Sequence, residues 1–275
     1  MSYDLTHWPQ TDLAKVRAAF REIPLEAYPA LGNLSRAEIH ERLAGQGGLF
    51  FAHDLARLLK LEPGLRVLDL GCGAGVTSLY LARTYGVNVS AVDESLPDDL
   101  GPRAMAAGVG HLLTPVPADC RRLPFPDDHF DVIFSMNAFF YFGSDDAYPA
   151  YLLRFLKEGG ELVIGSPCYR EELSADTPEE FLLEYPACLA VHSPDWWRKH
   201  FTQTGQAQVL QSSLHPRGVE FWEDRVRYLL ETEPHPDMPW WRDMVHAMIR
   251  MLNRDTDGFV SHFMLHARKS RQAQL

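Results

Sequence analysis

The segment Val67–Gly75 constrains the fold of this chain more than any other. An apolar run in it ends at Asp69, and three glycines follow at alternate positions. Such a run is typical of a buried parallel strand, and the glycines are typical of a tight turn that comes close to a ligand, because glycine lacks a Cβ and adopts positive φ. The helix predicted at 76–85 directs its N-terminus at that ligand. The pattern indicates a nucleotide-type cofactor site.

From residue 66 onward, short apolar segments alternate with helical ones, which predicts βαβ units in an α/β, doubly wound sheet. Strands are predicted at 66–70, 87–93, 112–116, 130–135, 161–165, 207–211 and 258–267, and helices at 76–85, 145–156, 178–184, 194–204, 219–231 and 240–253. Residues 1–48 are predicted to form an N-terminal helical lid. Residues 49–275 are predicted to form the main domain, with a helical insertion at about 215–255.

Composition narrows the classes of partner. The formal charge of −11 disfavours nucleic acid, and the basic pair Arg121-Arg122 is interpreted as a solvated loop. No basic segment followed by an apolar core begins the chain, and no apolar run reaches the roughly 18 residues of a membrane span. The four cysteines lie far apart without a Cys-x-x-Cys pair, which is typical of reduced thiols. We therefore expect a cytoplasmic protein with no metal, no nucleic acid and no membrane partner.

Three acids stand at the ends of successive predicted strands. Asp69 is interpreted as facing a cationic group of a ligand, or as capping the N–H groups of the glycine loop. Asp93 is suited to accept hydrogen bonds from both hydroxyls of a ribose, or to cap a helix. Asp119 is placed to accept from an adenine amino group, while the N–H of Cys120 donates to a ring nitrogen.

On these motifs the chain resembles the class I S-adenosylmethionine-dependent methyltransferases. The cluster at 192–197 and the tryptophan-rich helices predicted within 219–253 resemble a bacterial small-molecule subgroup of that family. Residues 69–75 look like the family's first motif, with Gly71, Cys72, Gly73 and Gly75 in the loop. Asp93 falls on the ribose-binding acid, Asp119 and Cys120 on the adenine pair, and residues 156–160 on the loop before the fifth strand. The resemblance implies a Rossmann-like, seven-stranded sheet with an antiparallel last strand and a helical cap. It implies S-adenosyl-L-methionine as the cofactor, lying across the carboxyl ends of the strands, with S-adenosyl-L-homocysteine as the product.

The chain departs from the family pattern in two places. Glu94 occupies the cofactor-lining position where the family usually has an apolar residue that packs on adenine. The segment 95–110, with Pro97 and Pro102, is a poor match for the family's usual second helix.

The acceptor side follows the fourth strand. By position, Met136 and Asn137 are expected to flank the methionine part of the cofactor, and Tyr141 to face its methyl group. No prolines follow Asn137, which disfavours the nucleic-acid and protein amines methylated by similar enzymes that carry Asn-Pro-Pro-Tyr there. We expect a monomer or homodimer that methylates N, O or S of a small-molecule substrate. A hydroxyl acceptor needs a base, for which Tyr141 and His192 are the candidates.

Three alternatives stay open. Trp196 and Trp197, next to His192, fit either a substrate cavity or a packed core. An NAD-dependent oxidoreductase on a similar sheet is disfavoured because Val76 stands where the dinucleotide fingerprint has its third glycine. A non-catalytic domain that binds S-adenosylmethionine is the third.

Overall fold

The computed structural model describes residues 20–43, 45–174, 177, 190–232, 239–255 and 258–270. They contain a seven-stranded sheet in the order β3-β2-β1-β4-β5-β7-β6. Strands β1 to β5 pair in parallel, and β7 is antiparallel to both of its neighbours. The strands are β1 Arg66–Leu70, β2 Asn88–Asp93, β3 Leu113–Pro117, β4 Phe130–Met136, β5 Leu156–Tyr169, β6 Ala207–Leu214 and β7 Val260–Lys269. The predicted doubly wound sheet with a reversed last strand is confirmed.

Helices cover both faces of this sheet. They are α1 Arg36–His40, α2 Gly48–Ala56, α3 Val76–Tyr85, α4 Leu100–Ala106, α5 Tyr148–Leu153, α6 Pro194–Thr202, α7 Gly218–Thr232 and α8 Pro239–Arg254. Alternate residues of each strand enter different apolar clusters, as strand geometry requires. Val67 packs in the cluster that contains α2 and α3, and Leu68 in the cluster that contains α6 and α7. None of the helices in the described ranges is long and apolar enough to cross a bilayer.

The fifth strand is longer than the predicted 161–165. The turn expected at Glu158–Gly160 is instead a bulged part of β5, in which Gly159 adopts φ 73°. Nine residues from Glu161 to Tyr169 then pair with β7. This antiparallel partner extends β5 beyond the end of β4 and carries the chain past the carboxyl edge of the sheet.

The segment 95–110 does contain a helix, α4, despite the poor match in sequence. Pro102 lies in its first turn, where the backbone N–H groups have no partner within the helix, so the missing donor costs little. Leu100 of this helix packs close to Gly75, where an added Cβ would approach the Leu100 side chain to 2.4 Å.

Two helices, α7 and α8, connect β6 to β7 within the region predicted as an insertion. The helix predicted at 178–184 lies outside the described residues, as do residues 1–19 of the predicted lid. The rest of that segment begins with two short 3-10 turns, Leu25–Ala27 and Pro29–Leu31, and continues through α1 to α2. A capping box between Ser35 and Glu38 starts α1.

Candidate cofactor and active site

The glycine loop after β1 is held to β2 by backbone hydrogen bonds. Gly71 and Cys72 N–H both donate to the carbonyl oxygen of Val92, at 2.9 and 3.0 Å. Gly73 adopts φ 53°, and a Cβ added there would meet no atom within 4 Å. The loop therefore presents bare backbone to open space at the carboxyl end of β1.

The Asp93 carboxylate stands directly against this loop. Its Oδ2 accepts the Gly73 N–H at 2.9 Å, and its Oδ1 accepts the Ser95 N–H at 3.0 Å. Each oxygen keeps a further acceptor site. The carboxylate is thus fixed by two backbone donors and remains able to bind two more hydroxyl groups.

A cavity of about 330 Å³ opens between the carboxyl ends of β1, β2, β3 and β4. It brings together eight of the thirteen site residues expected from the sequence: Gly71, Gly73, Asp93, Glu94, Asp119, Cys120, Asn137 and Tyr141. Three residues that the sequence reasoning did not single out also line it, Ser95, Ala138 and Phe142, and so does Arg121, which was interpreted as part of a solvated loop. We call this cavity the cofactor cleft.

Four other expected residues lie behind the lining. Asp69 is 1% exposed, and its Oδ2 accepts a hydrogen bond from Ser78 Oγ at 2.6 Å. Among the described residues, its hydrogen-bond donor is therefore the Ser78 hydroxyl and not an N–H group of the glycine loop. Cys72 and Met136 are buried in the core cluster of α2 and α3, and Gly75 caps α3 with φ 73°.

Burial dominates the charge state of the acidic and thiol groups near the cleft. Desolvation raises the pKa of Asp69 to about 7, against the lowering effect of the Ser78 hydrogen bond, and the charge of Asp93 adds to the rise. Burial also raises the pKa of the Cys120 thiol to about 12, so this sulfur stays protonated near neutral pH. Cys120 thus presents a neutral side chain to the cleft.

Arg121 connects the loop after β3 with the segment after β4. Its backbone N–H donates to Asp119 Oδ1 at 2.7 Å, and its guanidinium donates to the carbonyl oxygen of Tyr141 at 2.8 Å. The sequence analysis placed Arg121 in a solvated loop. Its position two residues after Asp119 was the available signal that it belongs to the site.

Asn137 directly follows β4 and adopts a left-handed conformation with φ 55°. Its N–H donates to the Gly165 carbonyl at 2.7 Å, and its Nδ2 donates to the Gln46 carbonyl at 2.8 Å. Its Oδ1 is buried and accepts no hydrogen bond from the described residues. Gly45 lies so close that an added Cβ would come within 2.3 Å of Nδ2. The segment before α2 therefore packs over the Asn137 side of the cleft.

His192 does not line the cleft. Its Nδ1 lies 3.0 Å from Glu172 Oε2, and its ring stacks on Trp196 at 3.7 Å between centroids. The other face of Trp196 stacks on His200 at 4.4 Å. Trp197 is fully buried and stacks on Phe263. Of the two interpretations of the tryptophans, core packing is the one found here.

Comparison with known proteins agrees with this geometry. Residues 67–160 match a family profile described as a methyltransferase domain. Phosphoethanolamine N-methyltransferase 1 of Arabidopsis thaliana is 31% identical over 151 residues, which are 53% of this chain and 30% of that protein. The chain therefore spans about 30% of the length of this curated relative.

Two further proteins are similar over most of the chain. Sarcosine/dimethylglycine N-methyltransferase of Halorhodospira halochloris is 25% identical over 222 residues, covering 76% of this chain and 77% of that protein. The solved structure of a proposed sarcosine dimethylglycine methyltransferase from Galdieria sulphuraria has a TM-score of 0.70 at 19% identity, covering 89% of this chain and 97% of that one. The latter likeness shows the fold alone. These findings show a methyltransferase domain at residues 67–160 and, over most of the chain, a likeness to the class I S-adenosylmethionine-dependent methyltransferases.

Proposed function

We propose that this protein transfers the methyl group of S-adenosyl-L-methionine to a nitrogen atom of a small-molecule amine. The observation that carries the proposal is the cofactor cleft itself. A bare glycine turn, an acid at the end of β2, an acid after β3 and the end of β4 all face one cavity of about 330 Å³. That is the position at which open α/β sheets bind their ligands.

The residues present fit this cofactor. The two oxygens of Asp93 would accept hydrogen bonds from the two ribose hydroxyls, while the open space over Gly73 admits the sugar close to the backbone. Asp119 would accept a hydrogen bond from the adenine amino group, and the N–H of Cys120 would donate to a ring nitrogen. Asn137 and Tyr141 would flank the methionine end of the cleft.

The remaining expected residues support this site from behind or at its rim. Gly71, Cys72 and Gly75 would shape the loop, and Met136 would back the methionine end. Glu94 would add a negative charge beside the adenosyl group. Asp69 would act through Ser78 at the start of α3 rather than by contact with the cofactor.

When bound, the cofactor supplies a methyl group on a positively charged sulfur. The chain has to align the acceptor with the methyl carbon and to exclude water. A neutral amine would offer its own lone pair to this methyl group, so no residue of the chain would have to remove a proton before the transfer. Arg121 keeps the backbone of Tyr141 in place at this end of the cleft.

The acceptor atom is inferred from two observations. A relative that is 31% identical over half of this chain and one that is 25% identical over three quarters of it act on amines by their names, whereas a relative that is 33% identical over 135 residues is a hydroquinone methyltransferase by its name. No histidine is among the residues that line the described cleft. A hydroxyl acceptor needs a positioned base, whereas a neutral amine carries its own lone pair. We assign no step to His192, and Tyr141 is proposed as a wall of the acceptor site.

We also propose that residues 20–48 and α7 cover the acceptor end together. The buried Asp224 of α7 accepts the Ile23 N–H at 2.8 Å, and the Arg225 guanidinium donates to the carbonyl oxygens of His40 and Leu43. The same N-terminal segment continues to Gln46, whose carbonyl oxygen accepts a hydrogen bond from Asn137 Nδ2. The cover would keep water away from the transfer.

Calorimetry and a labelled-methyl assay test the proposal. We expect S-adenosyl-L-methionine and S-adenosyl-L-homocysteine both to bind, and the Asp93→Ala variant to bind them at least about 100-fold more weakly, because two charge-assisted hydrogen bonds are lost. Asp127→Ala, an exposed acid paired with Arg154, is the matched control and should bind normally. Labelled methyl should move to sarcosine or phosphoethanolamine and not to hydroquinone.

Each contrary result has a distinct meaning. Absence of heat with either ligand on folded protein would overturn the cofactor assignment, and binding of NADH would favour the oxidoreductase alternative. Transfer to hydroquinone alone would overturn the nitrogen acceptor. Binding without transfer to any component of a metabolite extract would make the protein a non-catalytic binder.

A further inference from the structure

A second cavity, of about 450 Å³, lies between the N-terminal segment, α2 and the loop that joins β6 to α7. It shares no lining residue with the cofactor cleft. Leu58 and Met264 supply apolar surface, and the rest of the lining is largely polar or charged. Its volume is in the range of small-molecule sites. The proposed methyl transfer makes no use of it.

The polar groups of this cavity are fixed by one another. Asp54 Oδ2 accepts hydrogen bonds from the Tyr28 hydroxyl at 2.5 Å and from His215 Nε2 at 3.1 Å. His215 Nδ1 accepts the Arg217 N–H at 3.0 Å, so Nε2 is the ring nitrogen that donates to Asp54. Tyr28 is 4% and His215 is 6% exposed. These side chains are ordered before any ligand arrives, which lowers the entropic cost of binding.

Two arginines bring positive charge to the same cavity. Arg57, the residue that directly follows α2, forms no ion pair with any acid in the part of the chain that the structure describes. Arg217 pairs with Glu220 at 3.2 Å and lies over the Tyr28 ring at 5.8 Å from its centroid. His53 also lines the cavity, and burial holds its pKa below the usual value, so it adds no charge at neutral pH.

One acceptor atom in the cavity is still free. Asp54 Oδ1 has no hydrogen bond from the described residues, while Oδ2 has two. The Asp54 side chain is 20% exposed, so this oxygen is open to a ligand. The cavity therefore combines two guanidinium groups, which bind carboxylate or phosphate, with one carboxylate oxygen that binds an ammonium or hydroxyl group.

We propose that this cavity is a second small-molecule site, which binds a zwitterion through a carboxylate or phosphate at Arg57 and Arg217 and through an ammonium group at Asp54. The site is independent of the cofactor cleft and of the reaction assigned to it. Because Tyr28, Asp54 and His215 come from three distant segments, a ligand held there would also strengthen the contact between the N-terminal segment and α2.

Three probes on the full chain test the site: glycine, acetate and inorganic phosphate, followed by calorimetry and by NMR of the histidine ring protons. Glycine carries both charges and should bind saturably and more tightly than acetate. A tighter complex with phosphate than with acetate would identify a phosphate-bearing ligand. The resonances of His53 and His215 should shift on binding.

Matched variants decide where the probes bind. Arg57→Gln should weaken glycine binding at least about tenfold, because a charge-assisted contact is lost. Arg83→Gln, an exposed arginine of α3 outside the cavity, should leave it unchanged. Both variants should bind S-adenosyl-L-methionine normally, which shows that they are folded. Loss of probe binding in Asp93→Ala would place the probes in the cofactor cleft and overturn the proposal. So would equal weakening by both arginine variants, or no saturable binding on protein that binds the cofactor.

Discussion

The cofactor end of the cleft and its cover are held by different kinds of contact. At the cofactor end, backbone N–H groups of Gly71, Cys72 and Gly73 bind acceptors on the adjacent strand β2. In the cover, buried charged side chains of α7 bind the backbone of a segment 182 to 201 residues away in sequence. The first arrangement follows from strand pairing. The second depends on a few side chains, and one substitution there should release the cover.

The largest effect is expected at Asp224. Its side chain is fully buried, accepts the Ile23 N–H, pairs with Arg36 and lies 2.9 Å from His40 Nε2. Asp224→Ala leaves these donors unpaired, so the free energy of unfolding in urea should fall by about 3–5 kcal/mol. Asp127→Ala, at an exposed pair, should cost less than about 1 kcal/mol.

Asp224→Asn keeps an acceptor for the Ile23 N–H and provides a second variant if the alanine form does not fold. It should retain part of the stability and leave cofactor affinity within about threefold of the original. Equal losses in Asp224→Ala and Asp127→Ala would show that the cover does not depend on this buried charge.

The second effect is a pH dependence at the cofactor end. Burial raises the pKa of Asp69 to about 7, so the folded chain keeps a proton that the unfolded chain releases near pH 4. The contribution of this group to stability is therefore present below pH 4 and is lost as the pH rises to 7. Asp69→Asn removes the titration. The unfolding free energy of the variant relative to the original should rise by on the order of 1.4 kcal/mol per pH unit between pH 4 and 7.

Urea titrations at several pH values measure this difference, and all other titrating groups are common to the two proteins. Parallel curves for the two proteins would mean that Asp69 ionises at its ordinary pKa. The carboxylate would then have a solvated environment or a cationic neighbour that the buried contact with Ser78 does not provide.

The two regions also differ in how far the sequence predicts them. Asp93, Asp119 and the glycine loop could be placed together because the carboxyl ends of parallel strands meet at one edge of the sheet. That rule holds whatever the remaining tertiary structure is. It also places Asn137 and Tyr141, which follow β4 directly.

No such rule applies to the region of His192 and the tryptophans. Where α6 packs depends on contacts that sequence periodicity does not contain: Glu172 binds His192 from 20 residues away, and Trp197 stacks on Phe263 of the last strand. The partners of Asp224 and Arg225 are equally remote in sequence. Side-chain position at the cover therefore has to be read from the structure.

A smaller effect is expected at Gly73. Gly73→Ala forces a residue with a Cβ into φ 53° and directs a methyl group into the cleft. Stability should fall by about 1 kcal/mol, and cofactor affinity by about tenfold. Gly205→Ala is matched to it, since Gly205 has φ 65° and equally open surroundings. It should lose similar stability but no cofactor affinity. An unchanged affinity in Gly73→Ala would show that the cofactor does not approach this turn.

The smallest effect is expected at Glu94, which lines the cleft as an added negative charge. S-adenosyl-L-methionine carries a positive sulfur and S-adenosyl-L-homocysteine does not, so the charge distinguishes them by Coulomb attraction alone. At separations near 8 Å in a solvated cleft this attraction is worth about 0.5 kcal/mol, and salt weakens it. Glu94→Gln should therefore weaken the binding of S-adenosyl-L-methionine about twofold at low ionic strength and leave the binding of S-adenosyl-L-homocysteine unchanged. The control variant Glu158→Gln should change the affinity for neither ligand. Calorimetry at two salt concentrations measures both ligands. Equal weakening of the two would mean that Glu94 contacts the adenosyl group that they share, by a hydrogen bond rather than through its field.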